Sequence, residues 1–345
     1  MQISDFDYQL PEELIAQHPP ARRDAARMLI LNRAEGSWRD SQFPELPTFV
    51  REGDVVVLNN TRVFPARLAG EREPSGGRVE LFLLNEREPY IWEALARPAR
   101  RLQQGARVRF GAGRLRAEVL EVLDEGRRLL RFDADESFEA LLEELGQTPL
   151  PPYIKRERED FQSDRERYQT VYARERGAIA APTAGLHFTP QVLAELRARG
   201  AQVVEITLHV GYGTFEPVRA DDLKHHTVRP ERSIITEETA LIINQARSRG
   251  GRILAIGTTT TRALESAVSE EGRVEAGTRL AQLTITPGYR FRVVDALLTN
   301  FHLPRSSLLV LVSSFAGRDL VLAAYRHAVA ARYRFYSYGD CMLII

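Results

Sequence analysis

Of the seven histidines in this chain, three stand in short segments with glycine, threonine or asparagine, where a strand end could present them to a ligand. His187 lies in Ala181-Pro182-Thr183-Ala184-Gly185-Leu186-His187-Phe188, just ahead of a helix expected from Thr189-Pro190. An imidazole can carry a proton near neutral pH, and the free N–H groups of a helix start can hold a carboxylate or phosphate. His209 lies in Leu208-His209-Val210-Gly211-Tyr212-Gly213-Thr214-Phe215, where the paired glycines would let the backbone approach a ligand closely. The segment is incomplete as a dinucleotide fingerprint, since the third glycine is missing. His302 belongs to Thr299-Asn300-Phe301-His302-Leu303-Pro304, close to Asp295, and a further polar cluster is formed by His225, His226 and Glu231. These groups suit general acid–base work. None has the His-x-x-x-His or Glu-x-x-His spacing that aims two ligands from one helix, so no metal site is expected.

Gly257-Thr258-Thr259-Thr260-Thr261-Arg262 is the least ordinary segment. Its hydroxyls and amides could hold a ribose or a carboxylate, yet without a Gly-Lys-Ser/Thr ending it is not a nucleotide phosphate loop. Each of the other segments, taken singly, also reads as a tight turn with a satisfied histidine. Four threonines in a row are harder to explain that way, because β-branched side chains are disfavoured in helices.

The elements that would position these groups alternate. Asp54 to Leu58 is a β-branched run ending in Asn59-Asn60-Thr61, as expected of a buried strand. Thr189-Pro190 opens a helix closed by Gly200, and Gln202 to His209 is a strand. Thr236 opens a helix closed by Gly250-Gly251, and Arg252 to Ile256 is a strand running into Gly257. In such α/β sheets ligands bind beyond the carboxyl ends of the strands. Between about Ala66 and Phe132 the texture is different. Short runs such as Val79–Leu83, Ile91–Leu95, Arg107–Phe110, Leu115–Val122 and Arg128–Phe132 predict a small barrel or sandwich. The expected fold is therefore a main α/β domain with a mixed sheet, residues 1–65 and 150–345, carrying an inserted all-β barrel-like domain, residues 66–149. A short helix is expected at Leu10–Ala16 with Pro11 at its first turn, another over Ser137–Leu145 closed by Gly146, and a Ser163/Glu166 capping box for a helix carrying Tyr168 and Tyr172.

Composition narrows the classes. The chain has 345 residues, 43% hydrophobic and 27% charged, a globular balance that calls for two domains rather than one core. The single cysteine, Cys341, excludes internal disulfides and thiolate clusters. Met1 to Tyr8 has neither a basic nor an apolar region of a secretory signal, and Leu308–Phe315 is too short to span a bilayer, so a cytoplasmic protein without membrane contact is expected. Formal net charge is zero, but lysine occurs only at Lys155 and Lys224, so the cations are nearly all arginine, which binds phosphate with a planar fork.

Taken in order, Asn59-Asn60-Thr61-Arg62, Pro182 to Phe188, Leu208 to Phe215, Gly257 to Ser266, Val294 to Pro304 and Tyr333-Arg334-Phe335-Tyr336-Ser337-Tyr338-Gly339-Asp340 closely resemble the S-adenosylmethionine:tRNA ribosyltransferase-isomerases of queuosine biosynthesis, over essentially the whole chain. The resemblance implies an α/β domain with an inserted β-barrel. It implies transfer and isomerisation of the ribosyl group of S-adenosylmethionine onto 7-aminomethyl-7-deazaguanine at the wobble position of tRNA, with adenine and methionine released. S-adenosylmethionine is then a ribosyl-donating substrate and no cofactor stays bound. The partner is tRNA whose anticodon loop carries pre-queuosine, and the enzyme is expected to be a monomer. Tyr212, Arg229 and Thr286 depart from the family's pattern, and Arg229 stands where a second histidine often follows His226.

A sulfonium acidifies the adjacent ribose carbon, so this reaction needs a base, and a proton donor for the departing adenine. His187, His209, His226 and His302 are the candidates, with Asp295 or Glu231 to orient an imidazole. For the methionine carboxylate the candidates are Thr258, Thr259 and Arg262, and for its ammonium Glu265. Asn60, Arg62, Thr183, Gly185, Gly211, Gly213, Thr214, Asn300, Tyr338 and Asp340 complete the expected substrate-binding set. Two other readings stay open. An S-adenosylmethionine-dependent tRNA methyltransferase would leave S-adenosylhomocysteine instead of adenine and methionine, and a non-catalytic RNA-binding module would release neither.

Overall fold

Val55–Asn59 (β3) is buried along its whole length, which requires cover on both faces and neighbours on both edges. The computed structural model describes residues 1–156, 161–215, 218 and 220–345. Before β3 come β1 (Arg27–Asn32) and β2 (Ser37–Gln42), and after it β4 (Thr61–Val63). Next are β5 (Arg67–Glu73), β6 (Gly77–Glu88), β7 (Ile91–Arg97), β8 (Arg107–Phe110), β9 (Leu115–Val122), β10 (Arg127–Ala134), α1 (Phe138–Leu145) and β11 (Gly146–Gln147). The chain continues through α2 (Phe161–Arg167), β12 (Glu175–Ala178), α3 (Pro190–Ala198), β13 (Gln202–Leu208), β14 (Glu231–Ile235), α4 (Glu237–Ser248), β15 (Ile253–Ile256) and α5 (Thr258–Ser266). It ends with β16 (Gly277–Ala281), β17 (Ala296–Asn300), α6 (Ser307–Ala316), α7 (Arg318–Ala330) and β18 (Cys341–Ile344).

Two compact units result: Met1–Arg62 with Pro152–Lys155 and Gln169–Ile345, and Val63–Pro151 with Arg156–Tyr168. The larger holds a mixed nine-stranded sheet in the order β16-β14-β13-β3-β15-β17-β18-β1-β2. At its centre β13, β3, β15 and β17 run parallel, so their carboxyl ends lie along one edge. Met28, Val56, Leu58, Leu254, Ile256 and Leu298 form one core with Leu193 and Leu196 of α3 and with Phe43 and Leu46. The alternate strand residues face the other way, and α4 and α5 pack against β3, β13 and β15. Thr189 and Thr236 cap α3 and α4 through their hydroxyls, as read from sequence.

In the smaller unit, β5-β6-β7-β10-β9-β8 is an antiparallel sheet that β5 and β8 close into a six-stranded barrel, with β11 added on β5. Closure removes the exposed edges that so many short strands would otherwise leave. The helix expected over Ser137–Leu145 forms as α1, with Ser137 as its cap instead of its first residue.

Three local expectations fail. Leu10–Ala16 forms only a 3₁₀ turn, Glu12–Leu14, because Pro11 is extended and Ile15 is drawn into a bridge with Phe335. Ser163 lies inside α2 rather than capping it, and α2 ends before Tyr168 and Tyr172. Among the described residues no single helix is long and apolar enough to cross a membrane, and Leu308–Phe315 is buried largely within α6.

Candidate active site

The four central strands hand their polar residues to one edge of the sheet. Asn59 splices two of them: its Oδ1 accepts from Leu208 N at 3.0 Å and its Nδ2 donates to Leu208 O at 3.0 Å. Gly257, with φ of 92°, turns the chain from β15 into α5, a conformation that favours glycine. At this edge lie two adjoining cavities, both within the larger unit. The smaller, about 50 Å³, is lined by Pro182, Thr183, Val210, Gly257–Thr259, Thr299, Asn300 and His302. The larger, about 220 Å³, is lined by His226, Val228, Arg229, Glu231, Arg262, Leu283–Ile285 and Leu303–Leu308. Thr214, Leu308 and Tyr336 border both, so the two form one bent cleft.

Buried polar atoms without partners are costly and point to where a ligand would bind. Among the described residues, three occur on this cleft: Asn300 Oδ1, Thr259 Oγ1 and His226 Nε2. The orientation of Asn300 is fixed, because its Nδ2 donates to the carbonyl of Tyr336 at 3.1 Å, which can only accept. The same Nδ2 lies 3.3 Å from His187 Nε2, which therefore serves as an acceptor. α5 begins at Thr258, so its unpaired N–H groups stand at the smaller cavity beside the Thr259 hydroxyl.

The histidines divide. His187 is 3% exposed, stacked near Phe43, and lines neither cavity. Burial, helped by the charge of Arg334, pushes its imidazole down to about 4. His302 does line the smaller cavity, but burial pushes it down to about 3. Its peptide is clamped by two tyrosines, the Tyr8 hydroxyl donating to its carbonyl at 2.5 Å and its N–H donating to the Tyr325 hydroxyl at 3.1 Å. His209 is wedged against Gly177 with Nδ1 2.9 Å from Thr61 Oγ1. Burial, then Arg232, lowers it against the opposing pull of Glu175. His226 is lowered by burial alone, and it borders the larger cavity.

Several expected ligand groups have other work. Asp295 precedes β17 and accepts from Ile253 N at 2.8 Å, at the amino ends of the strands. A five-residue strand separates it from His302 by roughly 16 Å, so it cannot orient that imidazole. Glu265 is saturated: Oε1 accepts from Val293 N and Val294 N at 3.0 and 2.9 Å, Oε2 from Arg292 N and the Tyr289 hydroxyl, both at 2.9 Å. It holds the 289–294 loop and has no capacity left for an ammonium. Arg262 borders the larger cavity but is bonded to Glu231 Oε2 at 2.6 Å and to the carbonyls of Leu283, Ala281 and Arg229. Glu231 also accepts from Gly211 N at 2.8 Å, and its burial raises the carboxyl's pKa against the opposing pull of Arg262. The pair is a braced wall, not a free cation for a carboxylate.

Asn60 bridges Glu205 and Thr207 of β13, and Asp340 ties Arg27 N to Arg334 N. Tyr338 is 2% exposed and Arg62 faces outward. Gly185 is required by packing, since a Cβ there would meet the Tyr172 hydroxyl at 2.1 Å, and Gly213 lies against the Arg229 side chain. Thr183, Gly213, Thr214, Thr258, Thr259 and Asn300 do line the cleft. Sequence reasoning passed over Tyr153, Tyr336 and the apolar wall of Leu283, Ile285 and Leu311. Tyr336 has φ of 73°, in the left-handed region, and its ring packs edge-on against Tyr153 at 4.0 Å. Its segment stood out in the sequence, but which of its tyrosines faces the cleft depends on that backbone conformation.

The comparisons with known proteins agree with the order of the motifs. A family model described as "Queuosine biosynthesis protein" matches residues 3–344. The S-adenosylmethionine:tRNA ribosyltransferase-isomerase of Symbiobacterium thermophilum is 51% identical over 345 residues, covering 100% of both chains. That of Desulfitobacterium hafniense is 49% identical over 345 residues, again 100% of both. Among solved structures, S-adenosylmethionine tRNA ribosyltransferase from Thermotoga maritima matches at 36% identity and a TM-score of 0.56, covering 99% of this chain and 100% of that one. These names denote ribosyl and not methyl transfer. With a match spanning the chain from end to end and relatives half identical to it, this chain belongs to the queuosine biosynthesis protein family.

Proposed function

We propose that this chain transfers the ribosyl moiety of S-adenosylmethionine to the aminomethyl group of 7-aminomethyl-7-deazaguanine at the tRNA wobble position and isomerises it, giving epoxyqueuosine-tRNA, adenine and methionine. The observation that carries the reading onto this molecule is the bent cleft at the strand ends, where Asn300 Oδ1, Thr259 Oγ1 and His226 Nε2 are buried without partners among the described residues. The enzyme works in the cytoplasm as a monomer, and the division into residues 1–65 with 150–345 and an inserted 66–149 is part of the same reading.

The chemistry assigns roles by what each group has free. The methionine carboxylate lies at the start of α5, held by the Thr258 and Thr259 amides and the Thr259 hydroxyl, while Asn300 Oδ1 accepts from an N–H of the substrate. The sulfonium makes the attached ribose carbon acidic, and a neutral imidazole must accept its proton. His226 is the base, because burial holds its imidazole below the ordinary range and its Nε2 has no partner among the described residues. His187 and His302 are neutral and act by position, His187 by fixing the Asn300 amide. Loss of the C–S bond then releases methionine as a neutral thioether, and adenine leaves with a proton. The modified base must be presented outside the anticodon stack to reach the cleft.

The test is incubation with S-adenosylmethionine and pre-queuosine tRNA, followed by nucleoside mass analysis and quantitation of adenine. The expected products are an epoxyqueuosine-mass nucleoside with adenine and methionine. Binding of tRNA without that nucleoside would defeat the reading, and S-adenosylhomocysteine would establish a methyltransferase in its place.

A further inference from the structure

The barrel of the smaller unit is electrostatically polarised along its axis. One end is built from the β5–β6 turn, the β7–β8 connection and the β9–β10 turn, which the strand registers bring together: Glu80 opposes Arg97, Glu73 opposes Arg107 and Val122 opposes Arg128. Arg72, Arg78, Arg97, Arg100, Arg101 and Arg107 stand at this end, and all but the partly covered Arg72 are exposed. None of the six forms an ion pair among the described residues, although Glu73, Glu121, Asp124 and Glu125 share the same end. Arg72 donates to Ser75 Oγ and the Arg101 carbonyl instead. Two further arginines here are committed, Arg127 to Glu93 at 2.6 Å and Arg128 to backbone carbonyls.

The opposite end behaves differently. Three of its arginines, Arg87, Arg114 and Arg131, sit on Glu93, on Glu144 and Glu136, and on Glu118, while Arg67 donates to the Leu150 carbonyl and Arg116 lies across from Asp133. Asp133, Asp135 and Glu139 add further negative charge there. A chain of zero net charge that pairs most arginines with carboxylates at one end of a barrel and leaves six outside any ion pair among the described residues at the other has concentrated its positive field on one face. Six arginines gathered beside four acids leave an excess of positive charge that favours a polyanion, and arginine's fork suits phosphate oxygens. No aromatic side chain belongs to these turns, so base stacking is not on offer and the contact is to a phosphate backbone.

We propose that the end of the barrel bearing Arg72, Arg78, Arg97, Arg100, Arg101 and Arg107 is a tRNA backbone-binding face, used for sequence-independent phosphate contacts. This rests on the proposed function for the identity of the polyanion.

The test compares the parent chain with the variant Arg78→Gln/Arg97→Gln/Arg100→Gln/Arg101→Gln, whose altered side chains make no hydrogen bond or ion pair among the described residues, and with Arg114→Gln/Arg131→Gln as the control at the other end. Binding of unmodified tRNA is measured by filter retention between 0.05 and 0.3 M salt, beside steady-state turnover. At about 0.7–0.9 in the log–log salt slope per phosphate contact, the four-fold variant should lose about 3 units of slope and bind about 10–100 times more weakly at 0.15 M salt. The KM for S-adenosylmethionine and the kcat at saturating tRNA should stay unchanged, and the control should bind as the parent does. Unchanged affinity and slope in the four-fold variant overturn the proposal, and so does an equal loss in the control. If the four-fold variant loses its thermal transition, Arg100→Gln alone must still lower the slope by about 0.7–0.9. The two readings fail separately. A parent that binds tRNA through these arginines but makes no epoxyqueuosine sinks only the reaction, whereas full turnover with indifferent arginines sinks only this face.

Discussion

Replacing Glu265 by glutamine separates a structural carboxylate from a substrate-binding one. Each oxygen of Glu265 accepts two hydrogen bonds, and the residue is 5% exposed. Glutamine keeps one acceptor oxygen. If that oxygen stays with the Val293 and Val294 amides, the new NH₂ faces the Arg292 N–H, donor against donor, while the Tyr289 hydroxyl can turn to accept. One amide is then orphaned and the remaining bonds fall from charge-assisted to neutral strength, a cost of about 3–4 kcal/mol. At about 2 °C per kcal/mol for a unit of this size, the calorimetric transition should drop by about 6–8 °C. The KM for S-adenosylmethionine, measured well below the new transition, should stay within about twofold of the parent value. A tenfold rise in that KM with an unmoved transition would mean that Glu265 holds the substrate ammonium, and would refute this account of the 289–294 loop.

Thr259→Val removes a hydroxyl that has no partner among the described residues, so the transition should hold or rise slightly while the KM for S-adenosylmethionine rises about 5–10-fold. An unchanged KM would take Thr259 out of the site. Arg262→Met strands the Glu231 carboxylate in the wall of the cavity and should cost about 3–5 kcal/mol in urea unfolding. Glu231→Gln/Arg262→Met should recover part of that, and a double variant no better than the single would contradict the pairing. His187 and His302 both have folded-state values, about 4 and about 3, below the ordinary imidazole value, so the unfolded chain binds more protons than the folded one between roughly pH 6.5 and 4. Stability should therefore fall as pH is lowered through that window, with the two together contributing about 2–3 kcal/mol per pH unit near pH 5. Replacing His302 by glutamine should roughly halve that contribution, and urea midpoints insensitive to pH between 6.5 and 4.5 would show that neither ring is held neutral.

Much of the architecture was legible because it depends on short-range rules. Thr189, Thr236 and Ser137 cap their helices through bonds to amides three residues on, and β3 is apolar throughout because parallel strands are covered on both faces. The barrel showed as a change of texture, since short alternating strands with tight turns have a local signature. The failures come where local and tertiary forces compete, as at Leu10–Ala16, where a bridge from Ile15 to Phe335 prevails over a helix. The candidate site shows the same division. The sequence by itself marked which segments lie at strand ends, and so brought Thr183, Thr214, Thr258, Thr259 and Asn300 to one cleft.

What each polar group does there was decided only by the tertiary structure. Glu265 looked free for an ammonium, but a loop that starts 24 residues on saturates it. Arg262 looked like an anion receptor, but Glu231, 31 residues before it, takes its charge. Asp295 is seven residues from His302 in sequence, yet a fully extended strand carries the two to opposite ends of the sheet. Residue type states what a side chain can donate, accept or ionise. Whether that capacity is still available depends on partners that only the folded chain supplies, and burial then decides whether a titratable group keeps its charge.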